Sequence, residues 1–115
     1  VAETVRRLVG SFSKDERIGR TIDSVETMRL IIWQRLVPSV DGKRVALREY
    51  LVFDENVRDE LLSVDPERVT QKTRELVQKY GHPMQLEVDK RFEEGLIDAR
   101  LHKVLTAGLK RNQAG

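Results

Sequence analysis

The chain has 115 residues, of which 39% are hydrophobic and 35% charged, and its formal net charge is only +2. This length fits a single domain with a modest core, and the near balance of acids and bases argues against a nucleic-acid-binding protein. The absence of cysteine excludes disulfides, thiolate zinc sites and a cysteine nucleophile. No apolar run approaches the roughly 20 residues of a transmembrane helix, so we expect no transmembrane segment.

Two helices are predicted at the start of the chain. Apolar residues at helical spacing predict the first over residues 1–10. Ser13 and Glu16 then form a capping-box pattern, in which each side chain can accept from the other residue's backbone N–H. This pattern predicts a long helix over residues 14–34. Its end, residues 30–33 (LIIW), is apolar on all sides, which indicates burial in a core or against a partner.

A β-hairpin is predicted next. Asp41 and Gly42 stand between two strand-like runs, and this dipeptide favours a two-residue type I′ turn. In that register Leu36 lies opposite Leu47. Alternate residues of the second run, 44–53, fall on two faces, and neither face is cleanly polar. Because two strands alone are marginally stable in water, we infer that the hairpin packs on more structure than its own length supplies.

The rest of the chain is predicted to be helical, with caps and breaks between the helices. These helices run from a cap at Asp54 to Leu62, from Asp65 to Gly81, from Met84 to Gly95, and from a cap at Asp98 onward. The expected fold class is therefore α+β and mainly helical, with about six helices and one antiparallel hairpin.

The chain offers little that could carry catalysis. No GxxxxGK[ST] phosphate loop occurs in it. His82 and His102 have no further ligands at metal-binding spacing, so solvated or capping histidines are the favoured interpretation. We therefore expect no catalytic, cofactor-binding or metal-binding residue in this chain.

Two groups of charged residues stand out. Arg35 and Glu49 lie beside apolar residues of the hairpin, and a charge amid burial needs a partner. We expect an ion pair or hydrogen bonds there, which hold the hairpin to its neighbour. The second group follows Asp98, after which the chain has bases but no acid. It could meet an acidic lipid surface or an acidic partner, although such clusters more often complement a helix C-terminus.

Five segments, in order, resemble the PilT/GspE superfamily of secretion ATPases. They are residues 13–17 (SKDER), 31–38 (IIWQRLVP), 42–51 (GKRVALREYL), 57–59 (VRD) and the glycine-containing stretches of 80–97. The QRL segment and the RVA strand with its glutamate are the most specific. Residues 37–44 (VPSVDGKR) and the acidic junction at 53–55 are most similar to the DotB/TraJ type of type IVB secretion and conjugation systems. Residues 61–63 (LLS) depart from the PilT pattern, so the resemblance does not imply pilus retraction.

The resemblance implies a place for this chain in a larger protein. Residues 1–53 would form the end of a RecA-like ATPase core, and residues 54–115 a C-terminal helical lobe. The phosphate loop and acidic boxes would precede Val1, so the parent protein would bind ATP and magnesium while this chain alone would not hydrolyse ATP. Four residues are structural or interface candidates: Gln34, Arg35, Glu49 and Arg58.

The resemblance also implies partners and a location. The parent would be a homohexamer in the bacterial cytoplasm, peripherally associated with secretion-channel components at the inner membrane. This part would transmit ATP-driven motion to them. The alternative is a stand-alone helical adaptor that binds a protein partner through its charged faces.

Overall fold

Six α-helices and one two-stranded antiparallel sheet make up the structure, a computed structural model that describes residues 1–114 and the side chains of residues 1–111. In chain order the elements are α1 (Ala2–Gly10), α2 (Arg17–Thr27), β1 (Leu30–Pro38), β2 (Arg44–Val52), α3 (Glu55–Leu62), a 3₁₀ turn (Pro66–Arg68), α4 (Val69–Tyr80), α5 (Met84–Glu93) and α6 (Ala99–Ala114). The predicted mainly helical α+β class is confirmed.

The predicted long helix over residues 14–34 is wrong at both ends. The capping box does not form, because the Glu16 N–H donates to the Ser13 backbone carbonyl at 3.1 Å and α2 begins one residue later. At the other end Met28 turns to an extended ψ of 142°, and residues 30–33 form the start of β1. That run holds two isoleucines and a tryptophan, which favour the pleated conformation. A short apolar run does not reveal its period, so its sequence fits a helix end equally well.

The hairpin forms as predicted, but its loop has three residues, Val40, Asp41 and Gly42. The Ser39 N–H donates to the Lys43 carbonyl at 2.9 Å, and the Gly42 N–H donates to the Ser39 carbonyl at 3.2 Å. Gly42 has a φ of 82° whereas Asp41 does not have a positive φ, which excludes the type I′ turn. The Asp41 carboxylate accepts from the Ser39 hydroxyl and from the Lys43 N–H, and these contacts stabilise the longer loop.

The longer loop changes the strand register by one residue. At the open end of the hairpin the Phe53 N–H donates to the Arg29 carbonyl at 2.8 Å, which matches the pairing at the loop. Leu36 therefore lies opposite Ala46 rather than opposite Leu47 as predicted. The predicted division of β2 into two faces is confirmed, because the side chains of Leu47, Leu51 and Phe53 are buried while those of alternate residues are half-buried or exposed.

Two structural units divide the chain, and unit 1 comprises residues 1–33 and 50–81. Its helices α1 to α4 pack on one another, and the open end of the hairpin joins them. The core of unit 1 consists of Val1, Val5, Val25, Leu51, Phe53, Val57, Leu61, Val69, Leu76 and Val77. Asp54 caps α3 as predicted, since its carboxylate accepts from the Val57 N–H at 2.9 Å.

Unit 2 comprises residues 34–49 and 82–115 and has a smaller core. Its buried apolar residues are Val37, Leu47, Met84, Val88, Ile97 and Leu105. Two residues after the end of α5, Gly95 has a φ of 75°, and the Leu96 N–H donates back to the Arg91 carbonyl at 2.9 Å. Asp98 caps α6 as predicted, because its carboxylate accepts from the Leu101 N–H at 2.8 Å.

These units cut across the predicted boundary at residue 53. That boundary concerns the place of each segment in an ATPase and stays a prediction, and its last residue, Gly115, lies outside the described residues. Between residues 1 and 114, no helix is both long and apolar enough to cross a bilayer.

Candidate functional site: the hairpin and its polar anchors

Four large apolar side chains lie exposed on one face of the hairpin within unit 1. Leu30 lies opposite Val52, and Ile32 lies opposite Tyr50. Their exposed fractions are 48%, 54%, 54% and 40%, in that order. We call these four residues the outer apolar face. A contiguous exposed apolar surface of this kind is typical of a site that another protein surface covers.

Glu49 anchors β2 to helix α5 in unit 2. Its Oε2 accepts from the backbone N–H of Met84 at 3.1 Å, and Met84 is the first residue of α5. The helix N-terminus has unpaired N–H groups and a partial positive charge, so a carboxylate is stabilising there. The side chain is half-buried, which strengthens the interaction relative to one in open water.

A second carboxylate, Glu87, is the most buried acid in the described part of the chain, with 7% of the residue exposed. Its Oε2 lies 3.3 Å from His82 Nε2 and 3.4 Å from the Arg48 backbone N, and its Oε1 lies 3.2 Å from Arg91 Nε. These contacts connect β2, the turn before α5 and α5 itself. Sequence reasoning missed this residue, although its position one turn before Arg91 on the buried side of α5 was an available signal.

The four candidate residues do not form one cluster. Gln34 Oε1 accepts from Arg48 Nε at 2.9 Å across the strands, and Arg35 is exposed on β1. In unit 1, Arg58 Nη2 donates to the Met28 carbonyl at 3.3 Å, which ties α3 to the end of α2. The Arg58 Nε is buried without a hydrogen-bond partner in the described structure. The structure therefore places Gln34, Glu49 and Arg58 in separate packing contacts.

The second histidine links α5 to α6. His102 Nε2 lies 2.8 Å from Asp89 Oδ1, and its ring stacks on Phe92 with centroids 4.5 Å apart. Gln85 donates to the same Asp89 oxygen and to Thr106 Oγ1, both at 3.0 Å. The hydrogen bond from His102, and next that from Gln85, hold the pKa of Asp89 below its usual value. Over residues 1–111, no cluster of three or more histidine or carboxylate side chains could hold a metal ion.

Solved structures resemble this chain closely. The X-ray structure of the Legionella pneumophila ATPase DotB matches with 60% identity and a TM-score of 0.91, covering 94% of this chain and 29% of that chain. The Yersinia pseudotuberculosis ATPase DotB matches with 39% identity and a TM-score of 0.88, covering 93% and 28%. The pilus retraction motor PilT, solved with bound ADP, matches with 26% identity and a TM-score of 0.73, covering 89% and 28%.

Two further comparisons found no match. No protein-family model matches the chain, and no curated protein sequence does. The chain spans less than a third of the length of each of the three matched structures. The matches to the two DotB structures nevertheless extend over 94% and 93% of this chain, at identities of 60% and 39%. This chain belongs to the PilT/GspE superfamily, and its fold matches the C-terminal part of a DotB-like ATPase.

Proposed function

We propose that this chain is the C-terminal part of a hexameric ATPase that powers bacterial type IV secretion of the Dot/Icm or conjugative kind. The 60% identity to the Legionella DotB over 94% of the chain carries this proposal. ATP and magnesium would be bound by residues upstream of Val1, and the hexamer would act at the cytoplasmic side of the inner membrane. This part would transmit the ATP-driven motion to components of the secretion channel.

The outer apolar face supports a larger body around this chain. Its four side chains are exposed at the open end of the hairpin, where the opposite face of β2 already packs in the core of unit 1 through Leu51. Covering four such side chains would contribute several kcal/mol at about 25 cal/mol per Å². In the proposed ATPase the upstream core packs on this face, and this packing passes motion from the nucleotide site to the helices.

A charge introduced into the outer apolar face tests the proposal. In the full-length protein, Ile32→Asp should prevent tight packing on the upstream core, because a buried unpaired carboxylate is costly. ATP turnover should fall at least about tenfold, and light scattering should show less hexamer, if the lost packing costs 1.4 kcal/mol or more. The matched control is Ile18→Asp on α2, which replaces the same residue at a similarly exposed position.

Two outcomes would contradict the proposal. One is a full-length I32D variant with the turnover and the hexamer content of the unaltered protein. The other is an open reading frame with no phosphate loop upstream of Val1, which would support a stand-alone adaptor instead.

A further inference from the structure

Helix α6 has two distinct faces in unit 2. Leu101 and Leu105 belong to the side that packs on the small core, together with the half-buried Leu109. The exposed side carries four cations, with one valine and one alanine between them. These exposed residues are Arg100, Lys103, Val104, Ala107, Lys110 and Arg111. At 3.6 residues per turn they fall within an arc of about 120° and extend about 16 Å along the helix. We call the four cations the basic stripe.

Contacts among the described residues do not explain the basic stripe. Among the residues that the structure describes, no carboxylate forms an ion pair with any of the four cations. The helix dipole favours cations only near the C-terminus. It therefore accounts for Arg111 in the last turn, disfavours Arg100 in the first turn, and does not explain Lys103 and Lys110 between them. The stripe thus keeps like charges close together at an electrostatic cost that a negatively charged partner would offset.

An apolar groove adjoins the N-terminal end of the basic stripe. It has a volume of about 270 Å³ and lies between the hairpin loop and α6. Its walls include Pro38, Val40 and Val104, and the two valines are 60% and 58% exposed. Small-molecule pockets are typically about 300–1,000 Å³, so this groove suits one or two inserted side chains better than a cofactor.

The two walls of the groove are held together before anything binds. The Val40 N–H donates to the Leu96 carbonyl at 2.9 Å, which fixes the hairpin loop to the segment between α5 and α6. The Asp98 carboxylate caps α6 at the same place through the Leu101 N–H. A preformed groove loses little conformational entropy on binding, which favours even a short peptide ligand.

We propose that the basic stripe and its groove are a docking surface for an acidic segment of a partner protein, with an apolar side chain among its carboxylates. The carboxylates pair with the four cations, and the apolar side chain enters the groove beside Arg100. A membrane surface fits less well, because the leucines of α6 pack in the core and are not available to enter a bilayer. This surface does not depend on ATP hydrolysis, so it goes beyond the function proposed above.

Peptide binding to the full-length protein tests this surface. The probe is a fluorescein-labelled peptide with a leucine flanked on each side by three glutamates, and its anisotropy is measured at low and high salt. We expect binding that weakens as salt rises, because exposed charges are screened. Lys103→Glu combined with Arg111→Glu should lower the affinity at least about tenfold, since each change replaces an attraction with a repulsion.

Matched controls separate the stripe from general charge effects. Lys14→Glu combined with Lys79→Glu makes the same change of net charge on exposed residues of unit 1, and should leave the affinity unchanged. Serine in place of the peptide's leucine should lower the affinity severalfold, because the groove is then left unfilled. Val104→Ala should do the same, whereas Leu86→Ala, at a similarly exposed position of α5, should not.

Several outcomes would overturn the proposal. One is a peptide that shows no saturable binding, and another is an equal loss of affinity in the stripe variant and the unit 1 control. Equal affinity for the leucine and serine peptides would show that the groove does not bind the apolar side chain. Binding to phosphatidylglycerol vesicles in preference to the peptide would assign the stripe to a membrane surface instead.

Discussion

The two units of this chain are stabilised in different ways. Unit 1 has the larger apolar core, and four helices and the open end of the hairpin contribute to it. Unit 2 has fewer buried apolar residues, and two carboxylates, Glu49 and Glu87, hold its strand to the start of α5. From this difference we expect substitutions that remove buried apolar volume to destabilise unit 1 most. In unit 2, substitutions that remove a buried charge should be destabilising as well.

The largest effect should follow the loss of a core side chain in unit 1. Leu51→Ala removes a fully buried leucine and should lower the free energy of unfolding by about 3 kcal/mol, within the usual range of 2–5. Urea unfolding of the full-length protein measures this. The control, Leu36→Ala, acts at a half-exposed strand position and should change stability by less than about 0.5 kcal/mol. Equal losses in the two variants would contradict the assigned core.

The next effect concerns the buried carboxylate of unit 2. Glu87→Ala removes the more buried of the two carboxylates that pair with Arg91 and leaves the Arg48 N–H without its acceptor, and should lower the free energy of unfolding by about 2 kcal/mol. Glu93→Ala, an exposed acid on the same helix, serves as the control and should cost less than about 0.5 kcal/mol. If the Glu87→Ala protein has unchanged stability, the contacts of this carboxylate do not stabilise unit 2.

Gly81 offers a smaller test, of packing in unit 1. A Cβ at this position would lie 2.6 Å from the Tyr50 carbonyl oxygen, so strand and helix end would have to move apart. Gly81→Ala should therefore lower the free energy of unfolding by about 1.5 kcal/mol, within the usual range of about 1–3 for overpacking. Gly10→Ala has free space and helical surroundings, and should be neutral or stabilising by up to about 1 kcal/mol. Similar results at both glycines would argue against this close approach.

The smallest effect should come from Asp89 and depend on pH. Its pKa is lowered in the folded protein, first by the His102 hydrogen bond, so its contribution is present above the unfolded pKa near 4 and is lost as pH falls through the lower folded value. Asp89→Asn should cost less than about 1 kcal/mol at pH 7, because the side chain is 45% exposed. The difference from the unaltered protein should shrink at pH 3, and a constant difference would contradict this role.

Local signals predicted much of this fold. The caps at Asp54 and Asp98 and the existence of the hairpin depend on residues close together in the sequence, and all are present in the structure. The start of β1 at Leu30 was missed, because a four-residue apolar run fits a buried helix end and a strand equally well. The register was missed because the Asp41 hydrogen bonds that extend the loop compete with the usual type I′ preference.

The contacts of Glu49 and Glu87, the two carboxylates that hold β2 to α5, could be predicted only in part. The need for a partner at Glu49 followed from its apolar neighbours on β2, but that partner, the Met84 N–H, lies 35 residues away in the sequence. Glu87 has partners from β2 and from the turn before α5, and no local pattern brings those residues together. Long-range contacts of this kind depend on the packing of unit 2, so sequence spacing alone does not reveal them.

ATP hydrolysis by the full-length protein and by this 115-residue chain tests the central claim most directly. If the chain is the part that transmits motion, the full-length protein should hydrolyse ATP in the presence of magnesium, and the chain alone should show no turnover above the blank. Clear hydrolysis by the chain alone, or a full-length protein that neither binds nor hydrolyses ATP, would contradict the account.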